Sequence, residues 1–358
     1  MNHDHRLDSF QKHVDATRQH EVDRVVESLK QKLKKKSNDY DTLLSEIACL
    51  RDQLSISLAL ENDAAIDRKP IEPRLSSKKN EASVYALISD VHPFETVLPE
   101  QVSGVNHFTP TICEARMVKL FQKIVMWSNI HRAGVEIKTC ILGFLGDLIG
   151  NMLHREQVEM NAGTPMEEIL FMVDILLSGI EYIWKHGGFD EIIILCSHGN
   201  HDRGLDHFDK RKNIGNQAKH AHTWVLYHFL KKWIQENTDW NVRFEIATGY
   251  HLLQNVYGRT VRQHHGDAVR YRDGVGGPSI PLKKKIDRWN TAPGNDADLD
   301  AFGHLHWSMI DQVYAGNGSV IGYSSYSVEN GFPYEPPTQL LILLDKEHWA
   351  TSFNRIYV

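Results

Sequence analysis

Potential metal-binding side chains occur in a short segment near the C-terminal third of this chain. The heptapeptide AFGHLHW, residues 301–307, places His304 and His306 two residues apart, after a glycine. On an extended segment, residues two apart point to the same side, so both imidazoles could bind one metal ion or two adjacent ions. A surface turn that carries two histidines would have the same sequence, so this pair needs support from the rest of the chain.

Four other apolar runs end in residue types that bind divalent metals. Their potential ligands are, in chain order, Asp90 and His92, then Asp147, then Asn200, His201 and Asp202, then His264 and His265. In open α/β sheets, ligands bind beyond the carboxyl ends of the strands. A capping aspartate or a core histidine could explain any single position. Their shared placement at strand ends predicts one metal site built from all five segments.

The elements that must position these residues follow from the hydrophobic pattern. From residue 81, short apolar strands alternate with helical segments, predicted at about 112–132, 165–185 and 216–233. After Val242 the pattern changes to short strands, among them SVIGYSS at residues 319–325. These patterns predict an α/β protein, a layered sandwich of two facing sheets, with an N-terminal helical extension.

The N-terminal extension, residues 1–62, carries a heptad pattern. From Val22 to Leu54, seam positions alternate at spacings of four and three, with one polar interruption at Lys36. A coiled coil with a second copy, or a helix that docks on a protein partner, would bury this seam. A helical hairpin broken at Ser-Asn-Asp, residues 37–39, would bury it within the chain instead.

Composition sets the broad class of the protein. The chain has 358 residues, 41% hydrophobic and 24% charged, which predicts a soluble domain at 81–358 joined to the extension by a solvated linker at 63–80. The formal net charge of −6 argues against indiscriminate nucleic-acid binding. There is no apolar run of membrane-spanning length and no hydrophobic signal core, which predicts a cytoplasmic protein without membrane contact.

The order of the motifs resembles the calcineurin-like metallophosphoesterase superfamily. The motifs are D-x-H at 90–92, G-D at 146–147, G-N-H-D at 199–202, H-G at 265–266 and G-H-x-H at 303–306. A final aspartate in G-N-H-D is similar to the DNA-repair exonuclease branch, whereas a final glutamate is commoner among protein phosphatases. The partner-binding and capping regions of the repair nucleases have no clear counterpart here.

The resemblance implies a four-layer α/β/β/α sandwich of two facing mixed sheets and a centre of two divalent metal ions. One ion would be held by Asp90, His92 and His306, the other by Asn200, His265 and His304, with Asp147 bridging both. Two ions about 3.5 to 4 Å apart hold a bridging hydroxide and bind phosphate oxygens, so attack proceeds in line. Mixed imidazole and carboxylate ligands favour manganese, with iron or zinc as alternatives.

The resemblance also assigns residues around the metals. His201 resembles the family's general acid, and Asp202 is expected to orient its ring. Arg203, directly after G-N-H-D, is a candidate for binding substrate phosphate. His264 is not expected to be a ligand, because it alternates with His265 along a strand.

A basic segment lies between two of the ligand motifs. Residues 259–288 contain eight basic and three acidic residues, including Lys283, Lys284 and Lys285. With the glycine-rich GVGG they predict a flexible cationic lip for DNA or RNA. The expected function is therefore a phosphodiesterase or nuclease. The alternatives are a phosphomonoesterase or small (cyclic) nucleotide phosphodiesterase, and a non-catalytic scaffold subunit that acts through its N-terminal helix.

Overall fold

The chain forms two compact units, Met1–Leu75 and Ser76–Val358. The computed structural model describes residues 4–62, 71, 79–151, 160–203, 218–270 and 277–358. The predicted linker at 63–80 lies outside the described residues except for Ile71, Lys79 and Asn80. Part of the GVGG stretch also lies outside them. None of the described helices is long and apolar enough to cross a bilayer.

Helices and strands alternate in the second unit, as the hydrophobic pattern predicts. The described α-helices are α1 (Asp4–Asn62), α2 (Pro110–His131), α3 (Pro165–Gly187), α4 (His222–Asn237), α5 (Ser279–Trp289) and α6 (Ser325–Glu329). The described strands are β1 (Asn80–Ile88), β2 (Val135–Phe144), β3 (Glu191–Cys196), β4 (Val242–Ile246), β5 (Leu252–Val256), β6 (Arg259–Gln263), β7 (Leu299–Phe302), β8 (Met309–Ile310), β9 (Tyr314–Gly316), β10 (Thr338–Asp345) and β11 (Trp349–Tyr357).

The first unit is described by α1, a single helix of 59 residues. It continues without a break through residues 37–39, so the hairpin alternative is wrong. Every side chain from residue 18 to residue 58 is exposed, including those of the heptad seam. An amphipathic helix this long is normally stabilised by packing its apolar face on a partner.

The first sheet has the strand order β11-β10-β1-β2-β3-β4. Strands β1 to β4 are parallel, and β10 and β11 add antiparallel neighbours. Strand β10 is buried along its whole length, and β3 is buried except at its first residue. Helices α2, α3 and α4 contribute apolar side chains to the core on one face of this sheet. Burial on both faces explains why these strands read as continuous apolar runs.

The second sheet has the order β5-β6-β7-β9-β8 and is also mixed. A core that includes Leu87, Ile141 and Ala301 lies between the two sheets. Helix α5 packs Leu282 and Ile286 in a further cluster that includes Phe302 of β7. The layers are thus helices, sheet, sheet and helix, which confirms the predicted four-layer α/β/β/α class.

The predicted strand at residues 319–325 is wrong, because this segment is a loop that ends at α6. The amides of Val320 and Ile321 donate to the carbonyl oxygen of Asp90 at 3.1 and 3.4 Å. Arg116 Nη1 donates to the carbonyls of the same two residues at 2.7 and 2.9 Å. These side-chain and loop contacts replace the ladder of a strand, and an apolar run alone does not reveal them.

Candidate metal centre

The loops that follow strands of both sheets converge in one place. Asp90 and His92 follow β1 and Asp147 follows β2, whereas His304 and His306 follow β7 of the second sheet. The structure brings these side chains into two groups of potential ligands with atoms within 4.8 Å of one another. The sequence segments that carry them are far apart, so the packing of one sheet on the other assembles the site.

The first group contains Asp90, His92 and His306. Asp90 Oδ1 lies 3.4 Å from His306 Nε2, and the rings of His92 and His306 have centroids 5.4 Å apart. Asp90 is fully buried and His92 is 2% exposed. These three side chains offer one carboxylate and two imidazoles around a small volume.

The second group contains Asp147, His265 and His304. His265 Nε2 lies 3.0 Å from Asp147 Oδ2 and 2.9 Å from Asn200 Oδ1, so the amide oxygen of Asn200 belongs to the same cluster. His265 Nδ1 is 2.9 Å from the carbonyl oxygen of Leu145 and donates to it. That hydrogen bond fixes the tautomer and directs Nε2 into the site, as is usual for metal-binding histidines.

Asp147 lies between the two groups. Its Oδ2 is 3.0 Å from His265 Nε2 and 3.9 Å from His92 Nε2, which belong to different groups. Its Oδ1 accepts a hydrogen bond of 2.8 Å from the backbone amide of His201. One oxygen is therefore held by the protein while the other faces both groups, an arrangement suited to a bridging carboxylate.

The backbone at these residues is unusual. The φ angles of Asp90, His92, Asp147, His304 and His306 are 52°, 46°, 51°, 69° and 61°, all left-handed. Such angles are uncommon outside glycine, and their concentration is typical of functional sites. His304 and His306 therefore do not lie on an extended segment, which corrects that expectation: β7 ends at Phe302, and a bend directs each histidine to a different group.

Two glycines permit the loops to approach one another. A Cβ on Gly199 would lie 2.7 Å from the carboxyl carbon of Asp147, and one on Gly303 would lie 2.6 Å from Ser89 Oγ. Neither distance is compatible with a real side chain. The glycines of the G-N-H-D and G-H-x-H motifs are thus required by the close packing of the loops that carry the ligands.

The buried charges of the site influence one another. Burial would raise the pKa of Asp90, but its hydrogen bond with His306 holds that pKa below the usual range. Burial also opposes ionisation of Asp147, yet the nearby His265 and His201 hold its pKa well below normal. Both carboxylates are therefore in the anionic form that a metal ion requires.

Burial and the neighbouring His201 lower the pKa of His92 to about 3. Burial and the neighbouring His265 lower the pKa of His304 to about 4. Neutral imidazoles are the form that binds a metal. Burial acts in the same direction on His265, but the charge of Asp147 outweighs it and raises the pKa to about 10. A cation is thus favoured beside Asp147.

The donor set fits two divalent ions. Both ring nitrogens of His92 and Nδ1 of His306 are buried without a hydrogen-bond partner. Buried polar atoms without partners require an explanation, and an ion bound among them supplies one. Two anionic carboxylates, four imidazoles and one amide oxygen are the oxygen and nitrogen ligands that manganese, iron or zinc prefer.

A network of hydrogen-bonded polar side chains holds the carboxylate of Asp90. Ser89 Oγ donates to Asp90 Oδ2 at 2.6 Å, and Asn317 Nδ2 donates to Ser89 Oγ at 2.9 Å. Gln339 Oε1 accepts from Asn317 Nδ2 and from the amide of Ser89, both at 2.9 Å. The sequence alone does not mark these residues, because isolated Ser, Asn and Gln residues carry no recognisable spacing.

His201 lies beside both groups but belongs to neither. Its ring centroid is 4.8 Å from that of His92, and its Nδ1 is 2.9 Å from the carbonyl oxygen of Gly150. The expectation that Asp202 orients this ring is wrong. Asp202 Oδ2 accepts from the amides of Gly199 and Asp147 at 2.6 and 3.1 Å, and its Oδ1 has no hydrogen-bond partner. Asp202 therefore ties two ligand loops together.

Asn151 and Glu168 position the loop around His201, although no sequence motif marks either residue. Asn151 Nδ2 donates to the carbonyls of His201 and Arg203 at 2.8 and 2.6 Å. The buried carboxylate of Glu168 accepts from the amides of Gly150 and Asn151 at 3.1 and 2.9 Å. A carboxylate on α3 thereby fixes the loop whose carbonyl and amide groups hold His201.

Glu168 should make folding stability depend on pH. Burial raises its pKa from 4.5 to about 6. The folded state therefore retains this proton at pH values where the unfolded state has lost it, and the rise corresponds to about 2 kcal/mol. Relative to Glu168→Gln, the wild type should lose about this much stability as pH rises from 4.5 through 6, and then remain level. Urea unfolding of both proteins between pH 4 and pH 8 measures their free energies of unfolding. A wild type that gains stability relative to Glu168→Gln as pH rises would contradict the raised pKa of Glu168.

The other candidates for substrate contact lie on different elements. Arg203 forms an isolated backbone bridge with Ala221. Lys283, Lys284 and Lys285 lie in α5, which corrects the expectation that they form a flexible lip. Lys283 Nζ is 2.8 Å from Asp311 Oδ2, and Lys285 Nζ donates to the carbonyl of Ala268 at 3.1 Å.

His264 lies outside both ligand groups. It is fully buried, and its ring stacks on Phe302 with centroids 5.6 Å apart. Its Nε2 is 3.3 Å from Asp300 Oδ1, and Asp300 also receives two hydrogen bonds from Arg262, at 2.7 and 2.8 Å. The neighbouring residues His264 and His265 thus lie in different environments. His264 packs among aromatic side chains, and His265 belongs to the second group of potential ligands.

Comparisons with known proteins give weak structural similarities. No protein-family model matches the chain, and no curated protein matches it in sequence. Vacuolar protein sorting 29 from Cryptosporidium parvum is 13% identical, with 77% of this chain and 99% of that chain covered and a TM-score of 0.30. A predicted phosphoesterase from Streptococcus pneumoniae is 11% identical, with 78% and 98% covered and a TM-score of 0.26. The sulfate thiohydrolase SoxB from Thermus thermophilus is 8% identical, with 78% and 57% covered and a TM-score of 0.29. Similarities with TM-scores this low carry no argument about this chain. Its fold is therefore described from its own layers, and its site from its own groups of potential ligands.

Proposed function

We propose that this chain is a dinuclear metal-dependent phosphoesterase that hydrolyses phosphodiester bonds. The observation that carries the proposal is the position of Asp147 between two groups of buried ligands, with His201 beside both. Two ions bound there would activate water and withdraw charge from the phosphate oxygens. Asp90, His92 and His306 would hold the first ion, Asn200, His265 and His304 would hold the second, and Asp147 would contribute to both.

The chain's own groups orient the reaction. The amide of His201 holds Asp147 Oδ1, which leaves Oδ2 directed at the two groups. The hydrogen bond from His201 Nδ1 to Gly150 fixes the imidazole ring, so Nε2 is the atom that we assign to the leaving oxygen of the substrate. Proton transfer or hydrogen bonding at that oxygen would favour bond cleavage.

Aromatic side chains beside the first group favour a substrate with aromatic parts, such as a nucleotide. The ring of Tyr326 lies 5.6 Å from that of His306 and 5.4 Å from that of Phe332, which in turn contacts Trp307 at 4.7 Å. Tyr326 is 40% exposed. Partly exposed rings next to a phosphate site offer surfaces on which bases can stack.

A substrate panel tests the proposed reaction. The manganese-reconstituted protein should hydrolyse bis-p-nitrophenyl phosphate faster than p-nitrophenyl phosphate, and should cleave DNA or RNA. Rapid hydrolysis of monoesters with no cleavage of polynucleotides would favour the monoesterase, and preference for cyclic nucleotides would favour the small phosphodiesterase. A metal-loaded protein inactive on all of them would favour a scaffold that acts through the exposed seam of α1.

If the substrate is a polynucleotide, the lysines of α5 should help to bind it. Neutralising Lys283, Lys284 and Lys285 to glutamine should leave small esters unaffected and weaken DNA cleavage at low salt. Each lost phosphate contact should lower the slope of log affinity against log salt by about 1. Lysines 30, 32 and 34 of α1, changed together to glutamine, provide a control with the same loss of charge in the other unit. If both triple variants cleave DNA equally well at every salt concentration, α5 has no role in binding it.

A further inference from the structure

Helix α1 carries thirteen exposed large hydrophobic side chains between Val22 and Leu58. At about 1.5 Å per residue its 59 residues extend roughly 88 Å. Along the seam, exposure ranges from 43% at Val26 to 73% at Leu33. A seam with heptad spacing is complementary to a second helix of the same kind, so its natural occupant is another α1.

The seam is symmetric about residue 38. When two copies of α1 run antiparallel with residue 38 level with its equivalent, every seam residue meets another seam residue. The five layers, each of which occurs twice, pair Val22 with Leu54, Val26 with Leu50, Leu29 with Ile47, Leu33 with Leu43, and Lys36 with Tyr40. No apolar seam position from 22 to 54 is left without an apolar or aromatic partner.

Lys36 decides between the two orientations. In a parallel pair in register, Lys36 would face its own copy inside the seam and place two like charges together. In the antiparallel pair it faces Tyr40 of the second copy, whose ring can accept the cation while the lysine stem covers apolar surface. The polar interruption is thus unfavourable in one arrangement and accommodated in the other.

The charges that flank the seam agree with this orientation. Residues 30–36 contain five lysines and no acidic residue, whereas residues 39–46 contain Asp39, Asp41 and Glu46 and no basic residue. The parallel pair would place the lysine segments side by side, and the antiparallel pair places each beside an acidic segment. Among the charged residues Asp39 lies nearest the twofold axis, level with Ser37 of the second copy and about 3 Å along the helix from its own equivalent.

We propose that α1 mediates a homodimer, as an antiparallel two-stranded coiled coil whose twofold axis passes near residue 38. Such an interface is isologous, because the same surface of each copy contacts the other. In such a pair the C-terminal ends of the two helices lie at opposite ends. The inference does not depend on the metal centre or its activity.

Cys49 permits a direct test with the unaltered chain. It is the exposed cysteine, whereas Cys113, Cys140 and Cys196 are buried. In the antiparallel pair Cys49 lies level with Glu27 of the second copy, so the two Cys49 positions are about 33 Å apart along the axis. In a parallel pair in register they lie at the same level, within about 20 Å.

Light scattering should give twice the chain mass of 41.1 kDa, and spin labels on Cys49 should be about 33 Å or more apart by pulsed electron resonance. Leu33→Lys should raise the dimer dissociation constant at least about tenfold, because it alters two layers. Ser45→Lys, on the opposite face, should leave it unchanged, and circular dichroism should show equal helix content. A monomeric wild type, another stoichiometry, or labels within about 20 Å would overturn the proposal.

Discussion

The Asp147→Asn variant should bind at most one metal ion and lose nearly all hydrolytic activity. Only oxygen can accept the hydrogen bond from the amide of His201, which is 2.8 Å long in the wild type. The new amide nitrogen would therefore face His265 and His92, where Oδ2 stands in the wild type. An uncharged NH₂ group cannot bind a cation, so the bridge between the two groups is lost.

Single histidine variants provide the comparison. His92→Ala and His265→Ala each remove one ligand from one group and should each weaken one ion more than the other. Elemental analysis after reconstitution with manganese, together with the rate of bis-p-nitrophenyl phosphate hydrolysis, measures both effects. If Asp147→Asn retains about two ions per chain, as the wild type should, Asp147 is not a bridging ligand.

The His201→Ala variant should keep its metal and its fold while turnover falls by about 10² to 10⁴, the usual contribution of a general acid. Its imidazole lies outside both ligand groups, so metal content should not change. The loss should be larger for a nucleotide 3′-oxygen than for p-nitrophenolate, because p-nitrophenolate leaves without protonation.

A leaving-group series separates this role from a structural one. A loss of turnover that is the same for every leaving group would place His201 in substrate positioning and not in proton transfer. A loss of metal from His201→Ala would instead make it a ligand. Asn151→Ala is a useful companion, since it removes the hydrogen bonds to the carbonyls of His201 and Arg203 without altering either side chain.

The sequence predicts the ligand positions because a short apolar strand followed by Asp, His or Asn is a local pattern. It also predicts the start of α3, where Thr164 Oγ1 accepts from the amide of Glu167 at 3.4 Å and the Glu167 carboxylate accepts from the amide of Thr164 at 2.8 Å. These signals are local. Alternating strands and helices then determine the layers, because each buried strand needs a cover on both faces.

The support of the site could not be predicted because it depends on contacts between distant segments. Gln339 and Asn317 reach Ser89 across more than 220 residues, and Glu168 reaches the loop after β2 from α3. The left-handed backbone at the ligands was also unforeseen, since Asp and His carry no marker of it. The sequence around Asp202 does not show that its carboxylate accepts hydrogen bonds from two backbone amides and not from the ring of His201.

The proposed centre holds a pair of ions, one on either side of Asp147. A crystal of the manganese-reconstituted protein, measured at the manganese absorption edge, locates such ions directly by their anomalous scattering. Two peaks about 3.5 to 4 Å apart are expected, one among Asp90, His92 and His306 and one among Asn200, His265 and His304, with Asp147 between them. A single peak, or peaks away from these residues, would contradict the dinuclear centre.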